Sequence, residues 1–594
     1  MGHFLKNIKR IKLPKHVLFI DSETREVNRE NYSLNYARLV WLCLTTYDDK
    51  GNIIKEKWKV CYDGMETCNY IESVSNSINC VYIVASNACF DLSAIGFFRY
   101  FSNSGYELNF FSEKGLHFIL SIKKGKHYIK CISIQNFLRY GVKTLGEFTN
   151  KKKIEIDVFT DDMDLLSIYC FRDVEIIIEA YSLYLQFVSQ NELGGFAYTT
   201  PGQAFKAWRS KYNKSKLLIH GQEIVSEFEK QSYFGGRVEC FHIGKLSMGL
   251  YYLLDVNSLY PYVMKEHMFP IALKGIIEKN NIGKLEVTLR KHCVIAEVTI
   301  ETNEPVYPKI INGKLCFPIG KFNTTLCTES LRYALNNGHI KDIINGLYYD
   351  KGYLFKDYIN DCFEKRYMYK KQGNKIMEEL CKHLMTDLYG KFGERHDVCI
   401  EKHKISGDKF YIQDFIKIET NETGQTIGMF GIEQTFQGKE FAKNSMVSIA
   451  AHVTDYGKML LWKYIKICGI DKVLYCDTDS LIISEDTFNT LPKDIIGDKI
   501  GQLKIELISN NVTIFGLKDY IFGDRIRIKG ITRGTTENER GYFEVLQSLK
   551  LSSLIKKDLL DCAVLRTVEK HIAREYNKGI VNSSGKVFPF LLSE

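Results

Sequence analysis

In the stretch 474–483, LYCDTDSLII, two aspartates stand one residue apart inside an apolar, β-branched run. Such a run reads as a buried strand. Carboxylates are rarely buried without partners, because stripping them of water is costly. A chain that keeps Asp477 and Asp479 there must bring something to them. Far upstream, LLDVNSLYPYVM puts Asp255 at the end of another apolar strand, just before a turn. A strand-end carboxylate beside an Asp-x-Asp turn suits a shared magnesium site. That ion takes hard oxygen ligands and keeps substrate phosphates in its shell. Two such ions about 3.5–4 Å apart clamp the attacking and leaving oxygens of an in-line displacement. Phosphoryl transfer needs little beyond positioning and neutralised charge. A lone DxD is more often a turn or a solvated strand end; its conjunction with Asp255 and a basic helix between them points to chemistry.

That helix is NKIMEELCKHLMTDLYGKFG, the second of two expected within 354–393. QGNK breaks them, Gly373 suiting a left-handed C-terminal position and Asn374 an N-cap. A break that short predicts an antiparallel helical hairpin. Lys375 and Lys382 share a face, and so do Arg366 and Lys370 on the preceding helix. Lys371 lies one turn before Lys375, across the break. Two helices thereby aim cations at one place, as a triphosphate requires, although each lysine taken singly fits a solvated face. Tyr389 and Gly390 close the helix where a flat group could approach the backbone.

The first ~190 residues alternate strand and helix patterns, which predicts an α/β unit. They carry their own acids. FIDSET sets Asp21 and Glu23 on one strand face. SNACFDL supplies Asn87, Phe90 and Asp91, and SIYCFRDVEII puts Tyr169 and Asp173 on one side of a helix. Four acids with a tyrosine suit two metals and an oriented water, the chemistry of phosphodiester hydrolysis. Asn87 and Phe90 suit holding and stacking a frayed strand end. NELGGFAYTTPG, at 191–202, reads as a linker, and the segment 408–436 as a β-hairpin turning at NETGQ.

At 594 residues the chain exceeds one core and suggests about three to five subdomains. A net charge of +9 permits a nucleic-acid partner without demanding one. The 36 Tyr and 36 Phe suit base stacking or an ordinary core equally. The 17 cysteines form no CxxC pair and read as buried thiols of a reducing compartment rather than a zinc ribbon. No apolar run is long enough for a membrane helix and no signal-type segment opens the chain, so an intracellular, soluble monomer is expected.

Taken in order, these motifs resemble family B DNA polymerases with a proofreading exonuclease, specifically the protein-primed branch of phages, viruses and linear plasmids. DVNSLYP, YGKFG and YCDTDS match the three polymerase motifs; DSE, NACFD and YCFRD match the three exonuclease motifs. SYFGGRVE resembles the family's Tyr-x-Gly-Gly linker and LKDY its Lys-x-Tyr motif. The resemblance runs from about residue 19 to 530. It implies an α/β and α+β multidomain fold, an RNase H-like exonuclease domain plus a right-hand polymerase. The expected parts are exonuclease 1–195, palm 196–265 and 441–530, a terminal-protein-type insertion 266–353, fingers 354–393, a second, hairpin insertion 394–440 and thumb 531–594.

The same resemblance implies roles. Asp255 and Asp479 would hold two Mg²⁺ or Mn²⁺ ions, with Asp477 beside them and Val256 as a backbone ligand. Tyr260 would gate against a ribose 2′-OH. Lys382 would meet the triphosphate, helped by Arg366 and Lys370, and Tyr389 would pack on the nascent base pair. Lys518 and Tyr520 would hold the primer end, and Tyr233, Gly235 and Gly236 would contact DNA. Asp21, Glu23, Asp91 and Asp173 would bind the exonuclease metals. Tyr169 would orient the attacking water, assisted by Lys153, while Thr24, Asn87 and Phe90 hold single-stranded DNA. Expected partners are primer-template DNA, dNTPs and a separate terminal protein, since exonuclease residues start at position 21. Two departures stand out. Thr386 and Asp387 replace the usual Asn-Ser, setting a negative charge near the expected nucleotide site. No arginine stands near Thr454, where relatives touch the template. Ordinary nucleic-acid primers on the same fold, or a non-catalytic DNA-binding scaffold, are the alternative readings.

Overall fold

The computed structural model describes residues 2–8, 12–158, 160–418, 421–531 and 535–593. Its N-terminal unit is built on a long mixed sheet. The strands His16–Asn28 and Tyr32–Tyr47 pair antiparallel along most of their length. Cys80–Ala85 lies parallel to the first, and His127–Ser133 parallel to Cys80–Ala85. Alternate residues point to opposite faces of a strand, and here both faces are apolar. Val17 and Phe19 enter one core with the helix Met163–Gln190. Leu18 and Ile20 enter another with residues of the helices Gly64–Ser77, Ala88–Ala94 and Phe97–Asn103. Asp162 caps the long helix by accepting from the N–H groups of Asp164 and Leu165.

The second unit centres on a five-stranded antiparallel sheet. Its order is Val238–Cys240, Val473–Asp477, Ser480–Ser484, Tyr251–Val256 and Leu503–Ser509. The helix Val447–Cys468 supplies Leu461, Trp462 and Ile465 to its core and stops at Gly469, whose φ is 90°. The two expected cationic helices are Lys356–Lys371 and Lys375–Asp387. Gly373 between them has φ 71°, and Asn374 Oδ1 accepts from Met377 N–H at 3.1 Å. A further sheet within 266–353 packs Phe269–Ile277, Ile340–Gly352, Cys293–Thr302 and Ile319–Cys327 side by side.

Two expectations about the chain's joints are corrected. Segment 191–202 is no exposed linker: Leu193, Phe196 and Ala197 are buried, and Thr199 caps the helix Thr200–Ala207. One apolar cluster runs from Val17 and Tyr181 through Phe196 and Trp208 to Phe355, Leu384 and Phe392, so the units share a core. The second insertion is a four-stranded sheet rather than a hairpin, in the order Arg395–Lys404, Ile432–Phe441, Glu422–Met429 and Tyr411–Lys417. Within it Tyr411–Lys417 pairs with Glu422–Met429, so Thr423, Gly424 and Gln425 of NETGQ lie in a strand and not in a turn; Gly424 sits opposite Phe415, and a Cβ there would lie 2.2 Å from the ring. Within 531–594, Phe543–Ser548 and Ala563–Lys570 pair as an antiparallel hairpin. Ala563–Lys570 pairs with Tyr32–Tyr47 at the open edge of the first sheet, and Leu591–Ser593 pairs with Ile319–Cys327. Among the described residues, 15 of the cysteines are buried and unpaired, and no helix is long and apolar enough to cross a membrane.

Candidate active sites

The opening aspartates sit on the hairpin at the end of the palm-type sheet. Ser480 is the cross-strand partner of both Asp255 and Asp477 on its two sides. Val256 N–H donates to Asp479 O at 2.6 Å, which stitches the two acidic segments together. The turn itself is constrained. Thr478 has φ 59°, rare for a β-branched residue. Such a conformation persists only where its surroundings over-determine it. Here Thr478 N–H donates to Arg237 O at 2.7 Å, and Gly236 lies so close that a Cβ on it would be 2.7 Å from Thr478 Oγ1. Arg237 is buried and pairs with Glu239 at 2.6 Å.

The acids repel one another. Asp255 is pushed up to about 8 by burial, then by Asp479 and Glu506. Asp479 is pushed up to about 6 by burial, then by Asp477. Burial and facing like charge both favour the protonated form, and a bound cation would favour the charged one. The cations nearby are Lys518, whose Nζ is 3.3 Å from Asp477 Oδ1, and Lys382 and Arg525, whose charges act on Asp255. Three tyrosines wall the approach. Tyr260 and Tyr389 pack with ring centroids 5.0 Å apart and their planes tilted by 45°. A Cβ on Gly457 would meet the Tyr260 ring at 2.9 Å, and one on Gly393 would meet Tyr233 at 2.7 Å.

The second acidic centre gathers residues from three elements of the N-terminal unit. Asp21 and Glu23 come from the strand His16–Asn28, Asp91 from the helix Ala88–Ala94 and Asp173 from the helix Met163–Gln190. Asp91 accepts from Ser22 Oγ at 2.7 Å. Burial, then Asp91, Asp173 and Glu23, drive the Asp21 carboxyl far above its usual range. Glu23 is pushed up to about 8 by burial, then by Asp173; Asp91 reaches about 7 by burial. Lys153 forms an ion pair with Asp173 and lies 4.2 Å from the Tyr169 ring centroid. Asp173 Oδ1 is buried without a hydrogen-bond partner. This donor set fits divalent cations: hard oxygens, mutually repelling, one of them left over. Cys170 adds its Sγ to the group that Asp21 and Glu23 form, all within 4.8 Å.

Between the N-terminal unit, the helix Thr200–Ala207 and the segments 391–396 and 442–444 runs a cleft of about 1520 Å³. Nine lysines and arginines line it against one acid, Glu394, with Tyr82, Phe110 and Tyr198 among them.

A family model described as DNA polymerase type B, organellar and viral, matches residues 116–466, more than half of the chain. The chain belongs to the organellar and viral type B DNA polymerase family. A probable DNA polymerase of Neurospora intermedia is 25% identical over 382 residues, covering 61% of this chain and 37% of that protein. The DNA polymerase of Bacillus phage Nf is 23% identical over 353 residues, 56% of this chain and 55% of that one. The chain spans between 31% and 41% of the length of the first curated relatives it matches. Phi29 DNA polymerase, solved with primer-template DNA, superposes with a TM-score of 0.66 at 17% identity, covering 94% of this chain and all of that one. The type B polymerase therefore has the exonuclease-plus-right-hand fold.

Within that fold the sequence-derived residues fare differently. Asp387 is engaged by the N-terminal unit and the helix Thr200–Ala207: it accepts from Arg139 at 2.6 Å and from Thr200 Oγ1 at 2.7 Å. Thr386 Oγ1 donates back to Lys382 O. Thr454 is buried within its helix and bonds Ala451 O, so no template-facing residue is expected there. Tyr520 is only 3% exposed and packs on Tyr475 at 5.5 Å, while Lys518 Nζ reaches Asp477. Lys375 pairs with Glu378, Lys371 lies over Tyr367, and Lys370 is exposed. Asn87 is exposed at the helix start, with Phe90 half-buried behind it, and Thr24 bonds Asn35. Glu506, Arg525, Arg237 and Cys170 were not singled out from sequence. Only KIEL, an acid in the edge strand beside Asp255, carried a trace of the first.

Proposed function

We propose that this type B polymerase is a DNA-directed DNA polymerase with a 3′→5′ exonuclease, replicating a linear viral or plasmid genome from a protein primer. The observation that carries the reading is the meeting of Asp255 and the 477–479 turn on adjacent strand ends, with Lys382 and Lys518 facing them. Asp255, Asp479 and the Val256 backbone would hold two divalent cations, Mg²⁺ or Mn²⁺, which hard oxygen donors suit. When bound, these ions neutralise the triphosphate and lower the pKa of the primer 3′-hydroxyl. The chain supplies positioning. Lys382, with Arg366 and Lys370 behind it, neutralises charge on the β- and γ-phosphates. Tyr260 and Tyr389, packed against each other, would lie under the incoming sugar and base. Lys518 holds the 3′ end close to Asp477. Tyr233, Gly235 and Gly236 border the strand beside the strained turn.

At the second centre, Asp21, Glu23, Asp91 and Asp173 would hold the cations for hydrolysis of a single-stranded 3′ end. Tyr169, kept in place by Lys153 over its ring, orients the water. Thr24, Asn87 and Phe90 grip the frayed nucleotides. The basic, aromatic-lined cleft suits a single strand, whose backbone follows the cations while its bases stack. The two sheet insertions, Phe269–Ile277 to Ile340–Gly352 and Arg395–Lys404 to Ile432–Phe441, favour a terminal-protein contact and closure around DNA.

The test is a primed single-stranded circle with Mg²⁺. Long products with dNTPs and shortened primers without them are expected; no extension refutes the polymerase reading. Incubation with a candidate terminal protein and one labelled dNTP should give a protein–nucleotide adduct. Use of nucleic-acid primers alone would leave the same fold with an ordinary initiation.

A further inference from the structure

Lys382 sits on the helix Lys375–Asp387 and pairs with Glu379 of the same helix, whose other partner belongs to the N-terminal unit. Lys382 Nζ lies 3.5 Å from Glu379 Oε2, and the same oxygen accepts from Tyr140 OH at 2.8 Å. Glu379 is mostly buried, and its carboxyl is held below its usual range: burial opposes this, but the Tyr140 hydroxyl and Lys382 outweigh it. One turn further on, Arg139 donates to Asp387 Oδ2 at 2.6 Å and to Thr200 Oγ1 at 3.2 Å. Tyr140 is itself braced edge-on against Phe148 at 5.1 Å. Two consecutive residues of the N-terminal unit thus grip the helix on either side of Lys382, at Glu379 and at Asp387. The Asp387 that departs from the family pattern is one of the two points gripped.

We infer that the Arg139–Tyr140 segment positions the nucleotide site: Tyr140, through Glu379, sets how readily Lys382 is released to an incoming triphosphate, while Arg139 anchors the helix end through Asp387. This rests on the polymerase reading above. Glu379 needs a donor in its half-buried setting. With Tyr140 present, the carboxylate keeps a hydrogen bond when Lys382 swings to the phosphates. Without Tyr140, Lys382 is the partner left to Glu379 at this oxygen, and the triphosphate must break that pair. Neither residue touches substrate, so both are positioning residues. The coupling runs from the editing unit to the synthetic one.

The experiment measures dNTP KM and kcat in primer extension for wild type, Tyr140→Phe, Glu379→Gln and the double variant. Exonuclease rate and melting temperature are followed in parallel. Losing one such hydrogen bond is worth about 1 kcal/mol, so Tyr140→Phe should raise KM about five-fold with kcat nearly unchanged. Its exonuclease rate and melting temperature should stay at the wild-type values. Adding Glu379→Gln removes the competing charge and should bring KM back toward wild type. A second arm reverses the anchor: Arg139→Asp should raise KM, and Arg139→Asp with Asp387→Arg should recover it. A wild-type KM in Tyr140→Phe, or a double variant as impaired as Tyr140→Phe, overturns the inference while extension itself stands. Failure of the wild-type protein to extend any primer overturns the polymerase reading instead.

Discussion

Gly236→Ala should damage synthesis through contact alone. The added Cβ would lie 2.7 Å from Thr478 Oγ1, 2.8 Å from its Cγ2 and 3.1 Å from its Cβ. Turning the threonine about χ1 cannot relieve all three, because its Cβ is itself too close. Its backbone cannot retreat freely either, since its N–H is tied to Arg237 O at 2.7 Å and its φ is already 59°. The turn carrying Asp477 and Asp479 must move. Overpacking of this kind costs about 1–3 kcal/mol. If that displacement is felt in the transition state, kcat falls about five- to 150-fold. Gly235→Ala is the internal control, since no atom lies within 4 Å of its added Cβ. It should keep kcat and alter DNA affinity at most. Single-turnover primer extension at saturating dNTP reads the first effect, and digestion of a labelled single strand should be unchanged in both variants. Wild-type extension by Gly236→Ala, or equal losses in the two variants, would refute the reasoning.

Other consequences follow from the buried acids and the shared core. Folded-state values near 8 for Asp255 and Glu23, and near 7 for Asp91, lie above the carboxylate range. The folded protein therefore binds more protons than the unfolded chain between about pH 4 and 8, and metal-free stability falls as pH rises through that window. Melting curves with EDTA should show this decline, and Mg²⁺ should raise the melting temperature more at pH 8 than at pH 5.5; equal shifts would contradict it. Trp208 is fully buried among Phe205, Phe355 and Phe392, and its Nε1–H donates to Leu354 O at 2.9 Å. Trp208→Ala should cost about 3–5 kcal/mol in urea unfolding, and a loss under about 1 kcal/mol would mean that the units do not unfold through this core.

What the sequence disclosed and what it withheld follow from the range of the interactions. Asp477, Asp479 and Asp255 were readable because charge inside an apolar run is locally anomalous. The helix break was readable because Gly373 and Asn374 act on their own turn. Asp387 was read correctly as an added charge, but its partner Arg139 stands 248 positions away, and no local pattern points from one to the other. Glu506 was missed because an acid on an edge strand looks solvated; only the sheet order brings it beside Asp255. The pairing of Ala563–Lys570 with Tyr32–Tyr47 was not readable because a strand pairing with an open edge elsewhere has the same local pattern as one pairing with its neighbour. The turn was expected at NETGQ, whose polar residues and glycine resemble a loop; in the structure Thr423, Gly424 and Gln425 are paired in a strand, and Gly424 makes room for the ring of Phe415.

The central claim is that two separate acidic centres do separate chemistry in one chain. The most direct measurement compares Asp255→Ala/Asp479→Ala with Asp21→Ala/Glu23→Ala on one primed template, scoring extension with dNTPs and digestion without them. The first pair should abolish extension and still digest single strands; the second should extend and no longer digest. Loss of both activities in both variants, or loss of neither, would contradict the account.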